Sequence, residues 1–328
     1  IQTFTIDFEE KNGEDSLYAS KLSEDIKSDH HTLKVSADDQ FNALNELIPL
    51  MDEPMSDSAI VPTYMLAKAA RNKGIKVLLS GAGGDEIFGG YARHFPSKIL
   101  TAGWLASLPK FIRYMVAFVL GKINPSHAIR LLNPSRNFIA NISGLNFAFL
   151  KEALISKEQF SYLLSRIESD YKDASSTKAY PLMMMDINDY LPNNILSLTD
   201  KATMATSVEG RVPLLDHEIV EFAFSLPESM NILNNNPKGL FKKTLETRLP
   251  ASLISRKKEG FNAPINLWVA NWPDKIKDEL INNLSPEITR IIKPAIIEKW
   301  LNNESLRSKA GPSIYALFVL NKWIRSNA

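Results

Sequence analysis

No cysteine occurs anywhere in the 328 residues. That absence excludes disulfides, thiolate metal sites and a cysteine nucleophile. An excess of one charge is also missing: 38 Lys+Arg against 37 Asp+Glu leave a net charge of +1, which argues against a nucleic-acid surface as the main business of the chain. There is no long unbroken apolar run. The most apolar region, Ile99 to Leu120, is interrupted by Pro109, Lys110 and Arg113, and is expected to form an amphipathic helix pair instead of a membrane span. No signal peptide, internal repeat or low-complexity segment is visible, so the expectation is a cytoplasmic protein with neither a nucleic acid nor a membrane as partner. What is present is ordinary: 45% hydrophobic and 23% charged residues, enough for a normal globular core in one large domain or two smaller ones.

Read in order, Ile1–Phe8 is rich in Thr, Ile and Phe and predicts a strand. Glu14–Lys27 has Leu17, Tyr18, Leu22 and Ile26 at helical spacing, and Ala37–Leu50 has Phe41, Leu44, Leu47 and Ile48 on one face. Between them His30–Val35 predicts a short strand. A third helix is expected over Val61–Asn72, entered through Pro62 and ended by Gly74. The apolar run Val77–Leu79 then predicts a strand buried on both faces. This alternation of strands and helices is the pattern of a parallel α/β sheet, whose ligands bind beyond the carboxyl ends of its strands. Ser80–Glu86 and Asp7 lie at such ends. From about residue 96 the pattern is mostly helical, with a loop-rich stretch expected over Asn124–Gly144. The expected organisation is an α/β half over 1–95 packed against a helical half over 96–328.

The stretch Leu79-Ser80-Gly81-Ala82-Gly83-Gly84-Asp85-Glu86-Ile87-Phe88-Gly89-Gly90-Tyr91 organises the chain. A strand that ends in glycines offers free N–H groups for phosphate oxygens, and the carboxylates that follow can hold Mg²⁺. A tight turn before an acidic helix start would also explain Gly81 to Glu86, but it leaves Gly89-Gly90 unexplained. His30-His31 could suggest a metal site, yet neighbouring strand residues point to opposite faces, so a structural or surface role is favoured. Glu209 with Arg211 reads as a buried ion pair fixing a loop. Lys238 and Lys242, if helical, share one face.

The loop resembles Leu-Ser-Gly-(Asp/Glu)-Gly-(Gly/Ser)-Asp-Glu-hydrophobic-Phe-Gly-Gly-Tyr of the asparagine synthetase family. The resemblance continues in Phe4–Phe8, in Asp29-His30-His31, in Asp52-Glu53-Pro54 with Asp57-Ser58 and Pro62-Thr63-Tyr64, and in Tyr190-Leu191-Pro192 with Asp200-Lys201 and Met204. It extends through Ser207-Val208-Glu209-Gly210-Arg211-Val212-Pro213-Leu214-Leu215-Asp216, Lys238–Lys242 and Arg256–Pro264. It implies an ATP-pyrophosphatase fold and an ATP-dependent amide-forming ligase with ATP and Mg²⁺ as cofactors. An acceptor carboxylate, aspartate first among candidates, would be activated as an acyl-adenylate with release of pyrophosphate, then amidated by ammonia from a glutaminase domain outside this chain. A homodimer is left open.

The resemblance also implies roles for single residues. Ile6, Ser80, Gly81, Gly83, Gly84 and Asp85 would contact ATP, with Asp85 as the metal ligand. Lys238, Glu209 and Arg211 would be catalytic, and Lys201 and Ala82 would lie on the acceptor side. Two features depart from the family pattern. Ala82 stands where many relatives carry Asp or Glu, which opens the alternative of another acceptor, such as a surface-polysaccharide sugar acid. The family's first phosphate loop, Ser-Gly-Gly-X-Asp-Ser, does not occur. The expectation is therefore that this chain is the downstream part of a longer protein whose further strand separates Ile1–Phe8 from Val77–Leu79. A non-catalytic relative is the remaining alternative.

Overall fold

The computed structural model describes residues 1–9, 14–95, 147–176, 178–233, 236–255, 264–271 and 273–328, with isolated residues between 109 and 142. Strand β1 (Gln2–Phe8) is followed by α1 (Glu14–Ile26), β2 (Asp29–Val35), α2 (Ala37–Leu47) and α3 (Ile60–Asn72). Then come β3 (Val77–Leu79) and the short helix α4 (Gly84–Ile87). Each of these segments except α4 lies where the periodicity predicts it. The last residues expected in the second helix, Ile48–Leu50, tighten into a 3-10 turn at Pro49, since proline cannot donate to the preceding turn. Ser36 caps α2: Asp39 N–H donates to its hydroxyl, and the Asp39 carboxylate accepts the Ser36 N–H in return. The chain leaves α3 through Gly74 at φ 81°, a left-handed conformation that glycine adopts without a Cβ penalty.

The rest is mostly helical. Helix α5 (Ala179–Met185) widens into a π-helical stretch, Asp186–Leu196, and continues as α6 (Ser197–Met204). Strand β4 (Glu209–Arg211), α7 (Gly239–Leu245) and the C-terminal α8 (Gly311–Ser326) follow. The largest core unites both halves. Leu44, Leu47 and Ile48 from the α2 region and Ile60 and Val61 from α3 pack with Trp268, Trp300, Tyr315 and Phe318. Each such fully buried side chain contributes roughly 1.5–3 kcal/mol. The Trp323 indole N–H of α8 donates to Met51 C=O at 2.8 Å, tying the last helix to the first half.

The parallel sheet is split in two. β1 pairs in parallel with β2, and β3 pairs in parallel with β4. β1 and β3 do not pair with each other; both border one cleft. This corrects the expectation that Val77–Leu79 is buried on both faces. Val77 is 48% exposed and Leu79 74%, because β4 supplies neighbours on one edge only and the cleft borders the strand. β4 itself was not expected, as Glu-Gly-Arg carries no strand pattern. The amphipathic pair expected within Ile99–Leu120 and the loop expected over Asn124–Gly144 fall largely outside the described residues, as does the motif Arg256–Ala263. Among the described residues no helix is long and apolar enough to cross a membrane.

Candidate active site

Ser80 N–H donates to Arg211 C=O at 2.8 Å, so pairing with β4 runs to the end of β3 and stops at the glycine loop. Ser80 Oγ then accepts the Ala82 N–H at 3.2 Å and closes the first turn. Gly83 has φ 85°, and a Cβ there would lie 2.3 Å from the Leu215 side chain. A Cβ on Gly84 would meet Leu214 at 2.9 Å. The two leucines that follow Pro213 therefore press directly on the loop: Gly83, at positive φ and hard against Leu215, has no room for a side chain, whereas at Gly84 only the tip of the Leu214 side chain would have to move.

Asp85 lies in the first turn of α4, and its carboxylate lies 2.9 Å from Lys238 Nζ. The approach depends on the second glycine pair. A Cβ on Gly90 would sit 1.7 Å from Asp85 Oδ1, so the carboxylate folds back over Gly90, whose N–H donates to Asp85 C=O at 2.7 Å. Lys238 is held as firmly. It caps α7 in the left-handed region at φ 57°, ψ 36°, a conformation uncommon for a side-chain-bearing residue and typical of functional positions. Its N–H donates to Phe88 C=O at 3.1 Å, the Phe88 and Phe241 rings stack at 5.1 Å, and Asn231 Nδ2 donates to Ile87 C=O at 3.0 Å. Lys238 thus precedes its helix instead of sharing a helical face with Lys242.

The cleft has a volume of about 1830 Å³. One small-molecule site takes roughly 300–1,000 Å³, so there is room for two ligands. Ser80, Gly81, Ala82, Gly83 and Asp85 line it, as do Ile1–Phe4 and Asp57. Ile6 does not: its side chain is buried with Phe8, Val35 and Leu33, and the first half of β1 borders the cleft instead. Glu209 and Arg211 are paired at 2.7 Å, with side chains 52% and 64% exposed. This corrects the expected buried ion pair, since β4 presents alternate residues outward and only Gly210 faces the cleft. Lys201 is turned away from the cleft to an ion pair with Asp52, and with Glu53 at 3.3 Å. Burial works against its charge, but the hydrogen bonds to Asp52 and Glu53 win and raise its pKa. Those two acidic residues, quoted above only as part of a resemblance, are its partners.

A buried polar cluster adjoins this loop, and sequence reasoning did not assemble it. Tyr91 OH donates to Glu86 Oε1 at 2.7 Å. Glu86 is almost fully buried, and burial pushes its carboxyl above the ordinary value, with the Tyr91 hydrogen bond opposing. Arg93 Nε donates to both Asp186 carboxylate oxygens, and His94 Nε2 lies 2.6 Å from Oδ2. Burial lowers the His94 pKa and pushes the Tyr190 phenol up to about 12. The available signal was the run Tyr91-X-Arg93-His94, directly after the glycines, with an acidic residue close before Tyr190-Leu191-Pro192.

The family model described as "Asparagine synthase" matches residues 1–325. The chain belongs to the asparagine synthase family. A protein of Mycobacterium bovis named putative asparagine synthetase [glutamine-hydrolyzing] is 32% identical over 274 residues, covering 81% of this chain and 42% of that protein. Asparagine synthetase [glutamine-hydrolyzing] 1 of Bacillus subtilis is 28% identical over 283 residues, covering 83% and 44%. Amidase chyE of Penicillium rubens is 22% identical over 297 residues, covering 82% and 44%. The chain therefore spans well under half the length of these curated relatives. The matched span includes the glycine loop, β4 and the Lys238 helix start, and the described residues are mostly helical with small parallel sheets.

Proposed function

We propose that this chain is the synthetase part of an ATP-dependent amide-forming ligase that activates a carboxylate, aspartate first among candidates, and passes it to ammonia. The observation that carries the reading is the Asp85–Lys238 pair at 2.9 Å: Asp85 borders, with Ser80–Gly83, a cleft with room for two ligands, and Lys238 reaches it from just behind the lining. The chemistry explains the parts. A carboxylate is a poor electrophile because its charge is spread over two oxygens, and attack on a phosphate brings two anions together. Neutralising charge and holding the reactants in line supply most of the help needed. Lys238 brings a cation whose position is fixed by its left-handed backbone and its bond to Phe88. The N–H groups of Ser80, Ala82 and Gly84 are engaged within the turn and with β4, which leaves those of Gly81 and Gly83 to meet phosphate oxygens, as loops of this kind do.

Mg²⁺ is bound in such sites by one or two carboxylates together with substrate phosphates. One carboxylate at the mouth of a phosphate-binding turn fits that requirement, and Asp85 would hold the ion. When bound, Mg²⁺ neutralises phosphate charge. The ATP-pyrophosphatase class of the α/β half belongs to the same proposal, as does ammonia supplied by a glutaminase. Lys201, tied to Asp52 and Glu53, would act on the acceptor side by positioning α6, and Glu209 with Arg211 would shape the rim. On the adenine side the first half of β1, which borders the cleft, would take the place expected of Ile6.

The test is direct. The intact gene product, given ATP, Mg²⁺ and ammonium, is offered a panel of carboxylates that includes L-aspartate, L-glutamate, succinate, β-alanine and glucuronate, and AMP and pyrophosphate are measured. Formation of both with one of them is the expected result. Silence with every carboxylate, in a folded protein that binds ATP, would falsify the ligase reading and leave a binding protein. Release with glucuronate but not with aspartate would move the acceptor to the sugar acids.

A further inference from the structure

The cleft wall carries a second cation that the reading above does not use. Arg93 sits in the short turn Ala92–His94, just past the glycine loop, borders the cleft and is only 7% exposed. Its Nε reaches the two carboxylate oxygens of Asp186 at 3.1 and 2.8 Å. The Tyr91 ring centroid lies 3.8 Å from the guanidinium carbon and that of Tyr190 4.6 Å. One carboxylate and two aromatic faces thus fix both the position and the plane of the group.

The fixing leaves donors over. A purely structural Arg–Asp pair commonly uses the fork, with two N–H groups meeting two oxygens. Here Nε alone meets both oxygens, and Nη2 is buried without a hydrogen-bond partner among the described residues. Buried polar groups in native proteins are seldom left so, and each exception asks for an explanation. Asp186 already offsets the charge of Arg93, so a ligand here would be recognised by directed N–H donors and not by net charge. A planar pair of N–H groups matches a carboxylate or phosphate edge in a way a lysine ammonium does not.

We propose that Arg93 is a specificity-determining residue of the acceptor site, its remaining guanidinium edge binding a second, non-reacting anionic group of the carboxylate that is activated. The assignment rests on the ligase reading. Asp186 and the two tyrosines are positioning residues for it.

The experiment uses the intact gene product and the carboxylate panel, with pyrophosphate release as readout. The best acceptor is expected to carry a second anionic group. Its analogue lacking that group (β-alanine, where the acceptor is L-aspartate) should lose at least ~30-fold in kcat/KM, the size expected when one partner of a buried charge-assisted contact is removed. That comparison needs no variant, so it stands even if substitutions beside Asp186 fail to fold. Arg93→Lys keeps a cation for Asp186 and removes the fork. It should raise the KM of the acceptor by a similar factor, leave the KM of ATP within about two-fold and leave the analogue unaffected. An acceptor with a single anionic group overturns the assignment. So does a folded Arg93→Lys enzyme that still discriminates against the analogue, or one in which both KM values rise together. If no carboxylate elicits pyrophosphate release from the wild-type protein, the ligase reading itself fails and takes the assignment with it.

Discussion

Replacing Gly90 with alanine tests whether Asp85 acts from the position it occupies here. The new Cβ would lie 1.7 Å from Asp85 Oδ1, 2.6 Å from Cγ and 2.8 Å from Cα. Rotating the side chain relieves the first two contacts but not the third, so the backbone of the loop must shift as well. An ordinary C···O contact is about 3.3 Å, so the oxygen has to retreat by roughly 1.6 Å. That oxygen is the one 2.9 Å from Lys238 Nζ, and a retreat of this size breaks the pair. A misplacement of about 1 Å can cost ~10²-fold in rate, so pyrophosphate release by Gly90→Ala should fall by about that factor or more. Overpacking should lower stability by about 1–3 kcal/mol, measured by urea unfolding. Gly90 is not among the glycines at positive φ, so backbone conformation does not confuse the result. Gly81→Ala is the control, because a Cβ there meets nothing within 4 Å; it should unfold like the wild type. A folded Gly90→Ala protein with wild-type turnover would refute the placement of Asp85 in the mechanism.

Three further outcomes are expected. Lys238→Ala should cut AMP formation by ~10²–10³-fold with an unchanged circular dichroism spectrum; normal turnover would remove Lys238 from the chemistry. Asp186→Ala leaves Arg93 buried beside no carboxylate and should cost about 3–5 kcal/mol in chemical unfolding, whereas a cost below about 1 kcal/mol would mean that the pair is solvated. The folded-state pKa of Glu86 is raised by burial, so its contribution is fully present below the ordinary value of 4.5 and is lost as pH rises through the folded value. Glu86→Gln, compared with wild type, should therefore gain relative stability as pH climbs from 4 to 8; a constant difference across that range would show that Glu86 titrates normally.

Much of the first half was legible because its signals are local. Apolar spacing marks α2, Pro62 and Gly74 bracket α3, and the apolar run before Ser80 marks β3. The glycine loop was legible for a different reason: glycines at fixed offsets around two carboxylates are hard to explain by turn chemistry alone. What was not legible depends on partners far away in the chain. β4 is three residues with no strand propensity, and it exists because β3 offers it an edge. Lys201 turns to Asp52 and Glu53, and Arg93 meets Asp186 across 93 positions; neither pairing leaves a periodic trace. The exposure of β3 follows the same rule, since a run of three apolar residues cannot say how many neighbours it will find.

The long-range contacts also explain why the loop tolerates so little. Leu214 and Leu215, beyond β4, press on Gly84 and Gly83, while the helix start at Lys238 presses on the same loop through Phe88 and Asp85. The turn is therefore clamped from two sides by segments of the helical half, and its shape is a property of the assembled domain. A turn specified by its own sequence would keep its geometry when Leu215 is shortened. A clamped turn would relax into the space instead. Leu215→Ala opens the contact at Gly83 and, because Leu215 is only partly buried, should cost less than a core truncation, about 1–2 kcal/mol, if the site does not collapse. If the turn does relax, the cost in stability will be smaller and the loss will appear in the affinity for ATP. Measuring both quantities on one variant separates the two cases: the full fall in stability with unchanged ATP affinity would mean that the loop holds its own shape.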